Sequence, residues 1–250
     1  VPPPASPQPA DPRWQDSIRR QIEGGAAFLH SRYGAERFAL YFQAYSNTFA
    51  PVRRLQEVYD FALGCGSFLE LIVSTRPDCV DEAVARLLAG YRGRVEEVWV
   101  ELGLQSAHER RPRSIARGHT VADFDRAFRL LRSRGLRLAV HLIFGLPGED
   151  EEHILHTVRH VAALAPEAVK IHNLHVCRDS PLAAEFLAGE ITAPSAPRHL
   201  RYLRRALPLL PAGTILMRLT CDTPPDRLLA PRGFLPKEAF LRSVRSDPED

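Results

Sequence analysis

Residues 97–105, EVWVELGLQ, alternate between two kinds of side chain. Every second residue is aliphatic: Val98, Val100, Leu102 and Leu104. The positions between them include Glu101, Gly103 and Gln105. Because successive side chains of an extended strand point to opposite faces, the pattern predicts a strand with one apolar face and one polar face. The unbroken aliphatic face argues against an edge strand.

The sequence around this strand alternates between strand patterns and helix patterns. Strands are predicted over 37–43, 68–76, 95–105, 136–145, 168–176 and 214–220. Helices are predicted over 14–34, 51–63, 79–91, 120–135, 150–164, 195–209 and near 181–189 and 236–245. Such alternation implies parallel strands joined by right-handed crossovers. The turns that follow the strands are polar or rich in glycine, as they are where (β/α) barrels bind their ligands. We therefore predict an α/β fold, an open or partial (β/α) barrel, with a doubly wound sheet as the alternative.

Composition restricts the class of protein. Residues 1–13 are proline-rich and are predicted to be an irregular leader, and residues 14–250 are predicted to form one domain. The chain is 45% hydrophobic and 25% charged, without an apolar run long enough to span a membrane and without a signal peptide, so a cytoplasmic location is the default. The net charge of +3 does not require nucleic acid, and a dispersed arginine surface that contacts RNA is the weaker alternative.

Polar residues at the predicted strand ends are the candidate site. Glu101 and Gln105 flank Gly103, which suits a ribose or amino-acid ligand lying close to the backbone. Arg76 in STRPDC is either part of a structural ion pair with Asp78 or a ligand-binding residue. Arg117 in ARGH is a candidate clamp for a carboxylate.

The glycine turn of HLIFGLPGE, residues 141–149, is weaker evidence. Gly145 lacks a side chain and would let a flat ring approach the backbone, but most such glycines only form turns. The turn also lacks the GxGxxG fingerprint of dinucleotide binding.

Histidines and cysteines do not predict a metal site. His172 and His175 are three residues apart on a strand and so point to opposite faces. Three histidines share one face of a predicted helix, away from its apolar residues, and are expected to face solvent: His153, His156 and His160. The four cysteines are too far apart in sequence for a zinc or cluster motif, and we predict four reduced thiols: Cys65, Cys79, Cys177 and Cys221.

Taken in order, the strand-end motifs resemble those of the YhcC-like radical SAM proteins, a branch close to the radical SAM domain of elongator-type proteins. The motifs run from about residue 16 to about residue 240: YFQAYSNTFAPV, TRPDCV, VWVELGLQSAHE, RGH, HLIFGLPGE, KIHNLHV and LLAPRGFLPKEAFL. The resemblance implies a partial (β/α) barrel, a 4Fe-4S cluster held by three cysteines of a CxxxCxxC loop, and S-adenosylmethionine (SAM) as cofactor. It also implies a 5′-deoxyadenosyl radical, and an electron donor such as flavodoxin or ferredoxin. The substrate stays open, with RNA among the alternatives, and no membrane partner is implied.

The resemblance also assigns roles to residues. It implies Glu101 and Gln105 at the ribose or methionine part of SAM, and Arg117 at its carboxylate. Ile143 to Gly145 would lie beside the adenine, with His172 nearby. The methionine amine would be held near Tyr41 and Gln43, and Arg76 joins the set as a cofactor-binding residue.

One part of the family pattern is missing. The CxxxCxxC loop should precede DSIRRQIEGGAAFLH, but that place holds VPPPASPQPADP, and the chain begins with Val1 rather than methionine. We therefore expect an N-terminally truncated radical SAM sequence that cannot cleave SAM alone. An exposed edge on the strand at 37–43 would then make the chain poorly soluble. The alternatives are a cluster-free module that binds SAM or a nucleotide without catalysis, and a metal-dependent barrel that uses the histidines.

Overall fold

A computed structural model describes residues 13–43, 45–109 and 117–245. The predicted leader, apart from residue 13, lies outside the described residues. The helices are α1 (Trp14–Tyr33), α2 (Val52–Leu63), α3 (Glu82–Gly90), α4 (Val121–Ser133), α5 (Glu151–Leu164), α6 (Leu182–Leu187), α7 (Ala196–Ala206) and α8 (Lys237–Arg245). The strands are β1 (Phe38–Phe42), β2 (Phe68–Thr75), β3 (Glu97–Gln105), β4 (Arg137–Phe144), β5 (Ala168–Asn173), β6 (Val176–Cys177), β7 (Ile215–Arg218) and β8 (Leu228–Ala230).

The main sheet has six strands in the order β1-β2-β3-β4-β5-β7. The pairs β1/β2, β2/β3, β4/β5 and β5/β7 are parallel, which confirms the predicted α/β class. Strand β1 stands at one end of this order. A second, antiparallel sheet of β6 and β8 was not predicted, because strands of two or three residues are too short to show a periodic pattern.

The chain divides into two compact units. The first unit contains Val1–Gly103 and Ala122–Leu138, and the second contains Leu104–Val121 and Ala139–Asp250. The single domain over residues 14–250 stays a prediction.

In the first unit, alternation sorts the side chains of β2 and β3 between two faces. The aliphatic set is buried: Leu71, Val73, Val98, Val100 and Leu102. Helices α2, α3 and α4 add further buried side chains, among them Tyr59, Leu88 and Phe128. The opposite side, called here the polar face of the first unit, carries Tyr41, Glu70, Ser74, Glu97 and Glu101. The apolar side of EVWVELGLQ therefore forms core, as its pattern predicts.

The second unit repeats this arrangement on β4 and β5. Val140, Leu142, Val169 and Ile171 are fully buried. The other side, called here the basic face of the second unit, carries His141, Lys170, His172 and Arg218. Helix α5 begins with a capping box, in which Asp150 accepts the backbone N–H of His153 and the His153 ring accepts that of Asp150. These bonds satisfy two N–H groups that a helix start leaves unpaired.

Candidate functional site

Tyr41 and Glu101 meet on the polar face of the first unit. The Tyr41 hydroxyl donates a 2.5 Å hydrogen bond to Glu101 Oε2, and Glu101 is only 4% exposed. A carboxylate bound by a phenol in this way is fixed in position before any ligand arrives. Gln43 is exposed, one residue after β1 ends, so it lies at the carboxyl end of that strand as predicted.

Arg76 is bound by the aspartate two residues further on. Its Nε lies 2.9 Å from Asp78 Oδ1 and its Nη2 lies 2.5 Å from Asp78 Oδ2. This hydrogen bonding raises the pKa of Arg76. The two-pronged pair uses one edge of the guanidinium, which supports the structural interpretation of Arg76 and leaves its ligand role a prediction.

Arg117 braces the segment that follows β3. Its guanidinium donates to the carbonyl oxygens of Ser106 at 2.6 Å and His119 at 2.7 Å, and to Glu109 Oε2 at 3.0 Å. The Arg117 side chain is 6% exposed. Glu109 Oε1 also accepts the Val121 N–H at the start of α4, at 2.7 Å. A protein carboxylate thus already occupies one edge of the predicted carboxylate clamp.

Gln105 has an unusual backbone. Its φ is +60°, in the left-handed region that residues with a side chain seldom adopt. Such strain is concentrated at binding and catalytic sites, where the surrounding structure maintains it. The side-chain pattern predicted Gln105 as a site residue but gave no sign of this conformation.

His172 lies on the basic face of the second unit among positive groups. Arg218 Nη1 donates to His172 Nε2 at 3.0 Å, and the His141 ring lies 4.2 Å from the His172 ring, centre to centre. Burial, together with the nearby charges of His141, Arg218 and Lys170, lowers the pKa of His172 to about 2. His172 is therefore neutral at pH 7. Sequence reasoning missed Lys170 and Arg218, because their role depends on strand register.

Gly145 is needed by the fold itself. Its φ is +84°, and a Cβ built on it would lie 2.8 Å from the Pro194 side chain. Ile143, two residues earlier, pairs with His172 across β4 and β5 and is half-buried. The structure thus brings Ile143 and His172 into register, and it gives Gly145 a packing role that does not involve a ligand.

The residues described here do not fit an iron–sulfur cluster. All four cysteines are free thiols, and within 13–43, 45–109 and 117–245 no three side chains of the metal-binding types are grouped to hold an ion. Burial raises the pKa of Cys221 to about 12 and also raises that of Cys79, so both are protonated thiols at pH 7. A cluster needs several thiolates, and no step of the chemistry below is assigned to one.

The histidines of α5 lie on its outer side, as predicted. His156 is exposed and His153 and His160 are partly so, whereas Leu155 and Val158 are buried. The His153 ring also lies 4.2 Å from that of His108. The capping box gives His153 a structural role that the helix pattern alone did not suggest.

Two family models match the chain. The model of the radical SAM superfamily covers residues 30–161, and the model of the radical SAM C-terminal domain covers residues 166–249. The chain belongs to the radical SAM superfamily. Within that family it is 38% identical to protein YhcC of Escherichia coli strain K12, over 86% of this chain and 69% of the relative.

A second relative and a solved structure complete the comparison. The tRNA uridine(34) acetyltransferase of Methanocaldococcus jannaschii is 27% identical over 62% of this chain and 28% of its own length. The structure of archaeal Methanocaldococcus infernus Elp3 with an N-terminal deletion matches with a TM-score of 0.74 at 19% identity. That match covers 92% of this chain and 57% of that one, and it confirms the predicted partial-barrel fold. In the described part of the chain, no helix combines the length and apolarity that crossing a membrane requires.

Proposed function

We propose that this radical SAM chain binds SAM through the residues at the carboxyl ends of its parallel strands. The observation that carries the proposal is the buried Glu101 carboxylate, held at 2.5 Å by Tyr41 on the polar face of the first unit. SAM carries a positive amine, a positive sulfonium and two ribose hydroxyls, and a fixed carboxylate attracts or accepts from each of these groups. Glu101 thereby orients SAM, with Tyr41 and Gln43 beside the amine.

The other predicted site residues keep the roles that the family resemblance gives them. Gln105 hydrogen-bonds the ribose or methionine part, and Arg117 binds the carboxylate once Glu109 moves aside. Ile143 and Gly145 form an apolar wall for adenine. The neutral His172 ring adds a hydrogen-bonding group beside it. Arg76 acts at the end of β2, where it would exchange part of its pairing with Asp78 for SAM.

The chemistry beyond binding belongs to the complete enzyme. In the radical SAM family a 4Fe-4S cluster would supply the electron for SAM cleavage, and the four cysteines of this chain are not grouped to hold one. An electron donor such as flavodoxin or ferredoxin would serve it, in the cytoplasm. The tRNA uridine(34) acetyltransferase among the relatives supports RNA as the substrate class, without identifying the reaction.

Calorimetric titration with SAM tests the binding proposal. Glu101→Gln keeps an oxygen for the Tyr41 hydroxyl but removes the charge, so SAM affinity should fall by about tenfold or more. Glu70→Gln is the matched control. Glu70 shares the polar face, but pairs with Glu97, four residues before Glu101, or roughly 13 Å along the strand. Equal affinity of the wild type and Glu101→Gln would refute the assignment.

The second candidate function is a SAM- or nucleotide-binding module without catalysis. The lack of a fitting cluster site among the described residues favours it. Anaerobic incubation with iron and sulfide tests what the two proposals share, namely that this chain holds no cluster of its own. We expect this chain to retain neither in stoichiometric amount while it still binds SAM. Stoichiometric iron and sulfide on the chain would show that its own cysteines hold a cluster, contrary to both proposals.

A further inference from the structure

A cavity of 580 Å³ opens beside the carboxyl ends of β5 and β7 in the second unit. His175 and Cys221 line it, and they follow the last residues of those strands by two and three positions. The segment after β8, residues 231–237, forms another part of the wall. Cavities of this size accept small organic ligands, and in parallel α/β sheets ligands bind outside the carboxyl ends of strands. None of the proposed SAM contacts lines this cavity, so it is a separate site.

His175 places a buried polar group in the wall of the cavity. Its Nδ1 lies 2.8 Å from Thr223 Oγ1, which fixes the ring. Its Nε2 is buried and has no hydrogen-bond partner among the described residues. Burial lowers the pKa of His175, so the ring is neutral at pH 7. Because this nitrogen is buried rather than open to the cavity, the ligand contacts proposed below come from the other lining groups.

The rim of the cavity is positively charged. Arg178, Arg232 and Lys237 line it, against one carboxylate, that of Asp222. Arg178 Nε donates to the carbonyl oxygen of Asp226 at 3.0 Å, which leaves its other N–H groups available. Throughout the described residues no ion pair joins Arg178, Arg232 or Lys237 to a carboxylate. Such a rim attracts an anionic group, and guanidinium ions suit phosphate best.

An aromatic ring stands in the same wall. Phe234 lines the cavity, and its ring packs 5.1 Å from the Phe240 ring and 6.3 Å from the His199 ring, centre to centre. Phe240 and His199 are fully buried, so they hold the Phe234 ring in place. A fixed aromatic face offers stacking to a flat ring. Leu228, Leu235 and three prolines complete the apolar part of the lining.

A cationic rim and a stacking face together match a nucleotide. We propose that this cavity binds a nucleotide portion of the substrate, with phosphate at the cationic rim and the base against Phe234. The role as a substrate site rests on the proposed function, whereas the binding itself does not. The nucleotide could be free or part of an RNA strand, since both present the same chemistry.

Calorimetry of the whole chain with the nucleoside 5′-monophosphates tests the site. The double variant Arg232→Gln/Lys237→Gln should weaken binding by about tenfold or more, because two of the three rim charges are lost. The matched control is Arg53→Gln/Arg86→Gln, which removes two exposed arginines from α2 and α3 and should bind as the wild type does. Uncharged nucleosides should bind weakly, and added salt should weaken the monophosphates.

A second variant tests the stacking face, so that the test does not depend on the folding of a single variant. Phe234→Leu should weaken monophosphate binding and leave inorganic phosphate binding unchanged. A thermal melt and a SAM titration on every variant show whether it is folded. A short RNA oligonucleotide that binds more tightly than any monophosphate assigns the nucleotide to RNA, and equal or weaker binding assigns it to a free nucleotide.

The outcomes separate the two proposals. The nucleotide site is overturned if the wild-type chain binds none of the four monophosphates and not the oligonucleotide. It is also overturned if the Arg232→Gln/Lys237→Gln variant binds as tightly as its control variant. If SAM still binds in that case, the proposed function stands. Nucleotide binding without SAM binding would leave the cavity assignment intact and remove the SAM proposal.

Discussion

The two units present opposite chemistry on corresponding sides of their strands. The polar face of the first unit carries carboxylates at positions 70, 97 and 101. The one histidine in the sequence of this unit, His30, is exposed on α1. The second unit holds nine of the ten histidines and both lysines, and its basic face joins four cationic or titratable groups. The same strand geometry therefore supports an acceptor-rich surface in one unit and a donor-rich surface in the other.

Each of these surfaces attracts polar groups of the opposite charge. SAM has a positive amine and sulfonium, which favour the carboxylate of Glu101, and a carboxylate, which favours a guanidinium such as that of Arg117. A nucleotide carries negatively charged phosphate and no positively charged group. The cavity proposed for it lies in the cation-rich second unit. We therefore expect the two units to respond differently to acid, to helix-cap mutations and to changes at Arg117.

Acid should destabilise the second unit first. The folded-state pKa values are about 2 for His172 and about 4 for His199, both lowered mainly by burial, against about 6.5 in the unfolded chain. Between these values the unfolded chain binds more protons, so stability is lost as the pH falls below 6.5. The loss should reach about 2 kcal/mol for each histidine by pH 5.

Hydrogen exchange at pH 7 and pH 5, corrected for the intrinsic exchange rate, can locate this effect. Amides of β5 should lose protection before amides of β2. His172→Gln should flatten the pH dependence, and His30→Gln, an exposed change in the first unit, should leave it as it is. Equal loss in both units would show that carboxylates rather than buried histidines control acid stability.

Helix caps offer a smaller contrast between the units. In the first unit Asp81 accepts the Val84 N–H at 2.8 Å at the start of α3, whereas in the second unit Ser195 accepts the Arg198 N–H at 3.4 Å at the start of α7. Asp81→Ala should lower the free energy of unfolding by about 1 kcal/mol. Ser195→Ala should cost less than about 0.5 kcal/mol, since its bond is near the limit of length. Urea unfolding curves that rank the two in the opposite order would contradict this.

The smallest effect concerns Glu109. Glu109→Gln keeps an oxygen for the Val121 N–H but removes the charge that pairs with Arg117. If Arg117 binds the SAM carboxylate, the variant should bind SAM roughly threefold more tightly, since a partly exposed ion pair is weak. Calorimetry, with a melt to confirm folding, measures the change. Unchanged or weaker SAM binding would leave Arg117 as a structural brace only.

Much of the fold follows from the sequence because it depends on local patterns. The alternation of EVWVELGLQ placed its aliphatic side in the core, and Gly34 ends α1 with a φ of +64°, as expected of a glycine there. The predicted helix over 195–209 is α7 followed by a short 3-10 turn, Leu207–Leu209, a difference of hydrogen-bond type rather than of position.

The site was less predictable because its contacts join distant parts of the chain. Tyr41 and Glu101 were both predicted, but their hydrogen bond depends on the register of three strands. Arg117 was predicted as a clamp, yet most of its partners are backbone carbonyls, which no residue pattern reveals. The cavity brings His175 together with a segment more than fifty residues further along the chain.

The division of the chain into units also constrains its synthesis. Each unit is assembled from two separate stretches, and the chain passes from one to the other after residues 103, 121 and 138. During translation the first unit stays incomplete until α4 has emerged, although β1, β2 and most of β3 are made long before. Their parallel pairing must wait for distant partners, which slows folding. No single cut can separate the two units, because any cut leaves residues of both units together on at least one fragment.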